Sequence, residues 1–160
     1  MSLLDTGLAA LIAPSDRPVR LSAWLVGALA LAGMAVVGMT RLQHPGFGTE
    51  LRALITSRKR EEKEAAAAIV KALEELAVAR AEGRLHPDED AMTNNSILSG
   101  IRYLRLYPSG QSIRVYFTVT NDRIWLLGIN PSKRTTVMTP QLKDTLSARM
   151  SDVISLEKAG

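Results

Sequence analysis

Three rhythms of apolar and polar residues follow one another along this 160-residue chain. The first has no alternation: Leu21 to Thr40 reads LSAWLVGALALAGMAVVGMT, uncharged between Arg17 and Arg20 on one side and Arg41 on the other. About twenty apolar residues is roughly what a helix needs to span a hydrocarbon core, so the stretch reads as a transmembrane helix. Ala23, Gly27, Ala28 and Ala32 give it small surfaces for helix contact. The second rhythm is helical. After Pro45 and Gly46, with Thr49 and Glu50 as a start, Phe47, Leu51, Leu54 and Ile55 share one helical face. A break at 56–59 precedes a longer helix from Arg60 to Arg84, with Ala66, Ile69, Leu73 and Leu76 on one stripe and Gly83, His86 and Pro87 as stop signals.

The third rhythm has a period of two. It begins after a polar connector, PDEDAMTNNS, too acidic and turn-rich to be expected in the core. Strands are expected at Ile101 to Tyr107, Ser112 to Val119 and Arg123 to Ile129, joined by Pro108-Ser109-Gly110 and by Asn121-Asp122 as an antiparallel meander. In the middle strand Ile113, Val115, Phe117 and Val119 alternate with Arg114, Tyr116 and Thr118. One face should pack on the helices while the other, bearing Arg114 and Tyr116, looks outward. The chain closes with the loop NPSKRTTVMTP and a last helix from Pro140, capped by Thr139, with Leu142, Leu146, Val153 and Ile154 as its apolar positions.

Charge adds a second layer. The formal net charge is only +4, but from Leu98 to Met150 the bases Arg102, Arg105, Arg114, Arg123, Lys133, Arg134, Lys143 and Arg149 face just Asp122 and Asp144. Such a surface attracts polyanions, because each neutralised phosphate releases counterions; an acidic protein partner answers it equally well. Cysteine is absent and the histidines are His44 and His86 alone, so thiol chemistry is excluded and neither a metal centre nor a cofactor is implied. Positive charge is denser after the apolar segment (Arg41, Arg52, Arg58, Lys59, Arg60) than before it, which would place the carboxy-terminal part in the cytoplasm, anchored to the inner membrane by residues 21–40. A competing expectation is a start at Met39, with residues 1–38 either untranslated and outside the mature protein or a poorly ordered extension, since a strand at Thr40 to His44 leaves no linker after a membrane helix.

Several segments resemble the RelE/ParE superfamily of toxins from type II toxin-antitoxin systems, and RelE/HigB-like mRNA interferases in particular. HPGFGTELRAL is similar to the opening of the family's first helix. In LSGIRYLR, the residues Leu98, Gly100, Leu104 and Arg105 fit its second-strand motif, with Tyr103 in place of the usual glutamate. SIRVYF is similar to its arginine-hydrophobic-aromatic strand, and RIWLLGINPSKRTTVMTP to its final strand and basic loop, where Leu126, Leu127, Lys133, Arg134 and Pro140 take the matching places. The resemblance covers about Thr40 to Val153 and implies an α+β fold: two amino-terminal helices packed on an antiparallel sheet of three to four strands, with a short carboxy-terminal helix. The organisation would be an extension (1–20), an apolar helix preceding the domain (21–40) and a RelE-like toxin domain (40–155).

The resemblance further implies an mRNA endoribonuclease, acting on the ribosome or free, and held inactive by a cognate antitoxin. In such enzymes the ribose 2′-hydroxyl attacks the adjacent phosphate, which calls for a base, an acid and cations around the phosphorane. Arg105, Arg114, Lys133 and Arg134 are the phosphate-binding candidates, because a guanidinium fork grips phosphate oxygens in two places. Tyr116 and Lys133 are the candidates for proton transfer. Tyr103 and Tyr107 read as packing or base-stacking groups, Arg102 and Arg123 as solvated cations and His86 as a helix-end residue. The alternative is a non-catalytic protein of the same fold: a gyrase-directed toxin or a membrane-anchored degenerate relative.

Overall fold

The computed structural model describes residues 19–20, 39–92, 98–131 and 138–160. Its elements are β1 (Val19–Arg20), β2 (Thr40–Gln43), α1 (Pro45–Thr56), α2 (Arg60–Ala81), β3 (Glu89–Ala91), β4 (Ile101–Leu106), β5 (Ile113–Thr120), β6 (Arg123–Asn130) and α3 (Pro140–Ala159). Local chemistry accounts for most of the boundaries. His44 caps α1 through Nδ1, which accepts from Gly46 N at 3.1 Å, and Pro45 fills the first helical position, where no amide hydrogen is needed. In α2, Glu61 and Glu62 lie in the first turn and Arg80 in the last, each complementing the helix dipole. That helix ends in a Schellman motif: Gly83 takes a positive φ of 69°, Gly83 N donates to Arg80 O (3.1 Å) and Arg84 N to Ala79 O (3.0 Å). Between β5 and β6 the turn is Asn121-Asp122, with Asn121 in the left-handed region (φ 47°) that asparagine tolerates.

The sheet is wider than the three to four strands expected and is not purely antiparallel. Five strands of the domain, β2 to β6, are joined by the two-residue β1, giving the order β1-β2-β6-β5-β4-β3. The meander β4-β5-β6 is antiparallel, as read from its turns, but β2 runs parallel to β6, with Leu42 opposite Trp125. The acidic connector is the other departure. Its residues Glu89–Ala91 pair antiparallel with β4, placing Asp90 opposite Tyr103.

Helices cover both faces. On one side α1 and α2 bury Phe47, Leu51, Ile69, Leu73 and Leu76 against Leu104, Val115, Phe117, Ile124 and Leu126. On the other, α3 lays Leu146 and Val153 over Leu42, Tyr103, Tyr116, Trp125 and Leu127, with Met92, Met138 and Met150 at the margin. The face expected to look outward is therefore largely covered. The reason is that α3 is not short: it has 20 residues. A bulge fixes it. Phe117 pairs with Leu126 and Tyr116 with Gly128, so Leu127 is an extra residue on β6, and its carbonyl accepts from Arg149 Nη1 at 2.7 Å. Arg149 also reaches Glu50 of α1 at 2.7 Å, and Glu50 in turn accepts from Ile129 N at 2.7 Å. A Cβ at Gly128 would come within 3.0 Å of Arg149 Nη1, so glycine there keeps the passage open.

Residues 21–38, the bulk of the apolar segment, lie outside the described residues, while Thr40 belongs to β2. Among the described residues no helix is long and apolar enough to cross a membrane. Arg41, counted above as a flanking charge, is inside the domain: it is 2 % exposed, donates to Leu73 O at 2.8 Å, and burial pushes its pKa down to about 10.

Candidate phosphate-binding site

The register of β4 and β5 builds the site. Arg105 stands directly opposite Arg114, and Tyr103 opposite Tyr116, all four on the α3 face of the sheet. The tyrosine rings meet at 6.0 Å between centroids, tilted by 52°. Both guanidiniums lie over the Tyr103 ring, with Arg114 Cζ at 4.7 Å and Arg105 Cζ at 5.7 Å from its centroid. Arg105 Nη2 donates to the Tyr103 hydroxyl at 3.1 Å, and that hydroxyl donates to Asp90 Oδ2 at 3.0 Å. The hydroxyls of Tyr103 and Tyr107 beside it hold the Arg105 pKa above its ordinary value.

The two cations are incompletely answered by the protein. Arg105 has one acidic neighbour, Asp90, at 3.7 Å, and Arg114 has no carboxylate partner among the described residues. The Nε of each is withdrawn from solvent and makes no hydrogen bond. Tyr107, just past β4, is 63 % exposed and flanks Arg105. Together they set two guanidiniums, one of them without a carboxylate partner among the described residues, beside an exposed aromatic ring.

The structure brings Arg105 and Arg114 together as expected and separates them from Arg102 and Arg123. Arg102 points to the opposite face, where it and Arg80 hold Glu89, while Arg123 pairs with Glu157 at 3.4 Å. Lys133 and Arg134 lie outside the described residues; the chain leaves β6 at Asn130, the register partner of Arg114. Tyr116 lies in the core rather than on an open surface. Its side chain has no exposed area, and burial pushes the phenol pKa up. His86 is buried at the end of α2, its Nε2 3.3 Å from Glu75.

Asp90 is the site residue that the sequence did not reveal. It sits in a stretch that reads as a connector, and only its pairing with β4 carries it to Arg105. A cavity of about 410 Å³ on the α1/α2 side, lined by Glu50, Glu61, Glu62 and Lys59 among others, has too many carboxylates to compete for an anion. Among the described residues no cluster of histidine, aspartate and glutamate could hold a metal ion. No family model, curated protein or solved structure matches the chain.

Proposed function

We propose that residues 40–155 form a RelE/HigB-like toxin domain that acts on mRNA as an endoribonuclease, with Arg105 and Arg114 gripping the scissile phosphate. The observation that carries this reading is the cross-strand pair of arginines over a single tyrosine, with Arg114 lacking a carboxylate partner among the described residues. Like charges set directly opposite on neighbouring strands cost stability. A phosphodiester between them turns that cost into binding, and two forks can follow the charge as it spreads over the phosphorane oxygens. Lys133 and Arg134, which follow β6 in the sequence, lie outside the described residues and enter this reading from the sequence alone. The same surface suits an antitoxin that lays an acidic segment across it.

Tyr116, closed off from solvent, is not carried into this proposal as acid or base. Its burial is also what favours the second reading, a non-catalytic relative that binds through the same arginines. Induction of the chain without a partner separates the two. Growth arrest with new mRNA 5′ ends, abolished by Arg105→Ala or Arg114→Ala, is expected. Arrest with intact mRNA would move the conclusion to the non-catalytic reading, and harmless expression would reject a toxin.

A further inference from the structure

The strand β3 is held from both sides, and the two holds differ. Glu89 points toward α2, where its carboxylate, with no exposed surface, is gripped by Arg80 and Arg102. Asp90, the next residue, projects through the other face into the arginine site. Its Oδ1 accepts from Ala91 N at 2.9 Å and its Oδ2 from the Tyr103 hydroxyl at 3.0 Å. The side chain nevertheless keeps 59 % of its surface exposed. An exposed aspartate ordinarily sweeps through several rotamers. This one is fixed through both oxygens, with lone pairs left over and open to a ligand.

An ionised carboxylate can only accept hydrogen bonds. Beside two phosphate-binding guanidiniums it repels the phosphate itself and welcomes a donor attached close to it. In a nucleic-acid strand that donor is the ribose 2′-hydroxyl, which DNA lacks. We propose that Asp90 makes this site select RNA over DNA, its fixed carboxylate accepting the 2′-hydroxyl of the nucleotide whose phosphate lies on Arg105 and Arg114. The inference rests on the phosphate-binding reading above and adds a sugar specificity to it. The bonds from Ala91 N and the Tyr103 hydroxyl, with Arg105 and Arg102 nearby, lower the Asp90 pKa, so the acceptor stays ionised at neutral pH.

The test measures binding of the full chain to a short single-stranded RNA and to DNA of the same sequence. In the RNA the bridging 5′ oxygens are replaced by methylene, which blocks cleavage and keeps every 2′-hydroxyl. The wild type should prefer RNA. Asp90→Ala should weaken RNA binding on the order of 10-fold, as loss of a hydrogen bond to a charged group implies, and leave DNA binding equal or tighter. Asp90→Asn, which keeps an acceptor and removes the repulsion, should tighten DNA binding and retain part of the RNA preference. Single 2′-deoxy substitutions along the RNA should reveal one sensitive position in the wild type and none in Asp90→Ala. An RNA preference that survives Asp90→Ala overturns the proposal, as does a wild type that binds both polymers equally. Equal weakening of RNA and DNA, reproduced by Glu89→Gln, would show that Asp90 merely holds β3 in place. Binding of neither polymer, or binding indifferent to Arg105→Ala and Arg114→Ala, would instead reject the phosphate site on which the proposal stands.

Discussion

Arg102 and Arg105 are three positions apart on β4, on opposite faces of the sheet, and the fold treats them in opposite ways. Arg102 shares with Arg80 a carboxylate that has no exposed surface, so its charge is answered inside the protein. Arg105 faces another arginine, and its acidic neighbour is an open aspartate. Neutralising one cation internally ties an edge strand to a helix. Leaving its neighbour under-neutralised keeps a positive charge on the other face, and the proposed phosphate site rests on that charge. Charge totals do not distinguish these roles; the face of the strand does.

The largest effect should come from the α1/α2 face. Phe47→Ala removes a fully buried side chain and should cost about 3–5 kcal/mol, read as a lower denaturation midpoint. Glu89→Gln should cost about 2–3 kcal/mol, because it leaves Arg80 and Arg102 without their shared partner; a loss as small as that of a surface ion pair would erase the contrast between the two arginines. Arg41→Met should raise stability by about 1 kcal/mol at neutral pH, since a desolvated cation gives way to an apolar chain of similar reach. The sign follows from linkage. Arg41 has a lowered pKa, about 10, in the folded state, so between that value and the ordinary value of an arginine the unfolded chain binds more protons, and rising pH stabilises the wild type. The advantage of the Met variant should therefore shrink across that window in paired alkaline melts. Smallest in stability, and most telling for function, are Arg105→Ala and Arg114→Ala. Each should shift the midpoint by no more than about 0.5 kcal/mol while weakening RNA binding about 10-fold and flattening its salt dependence.

Much of this arrangement is legible from local pattern. The meander, its two turns and both amino-terminal helices follow from periodicity and capping, and Arg105 and Arg114 stand out from Arg102 and Arg123 by their strand motifs. Three features are not legible, each for a physical reason. Glu89-Asp90-Ala91 has poor strand propensity and becomes a strand only through pairing with β4 and the grip on Glu89, both distant in sequence. Tyr116 alternates with the apolar residues of β5 and so reads as outward, yet α3 supplies a second apolar layer that a period of two cannot reveal. In α3 itself, Leu146 and Val153 are buried as their spacing suggests, whereas Ile154 is 43 % exposed and Arg149 turns inward, because the Leu127 bulge offers its carbonyl there.

The two ends of the sheet have a consequence for solubility and for the geometry of any partner. Its borders are β1, of 2 residues, and β3, of 3 residues that include two acids. Long, flat borders invite other chains to add strands, and through them fibrils grow. Among the described residues each border offers few free amides and carbonyls to a visiting strand. Among the described residues a partner strand therefore finds little border to extend, and copies of the chain crowded together have little means there of stitching themselves into a continuous β-ribbon.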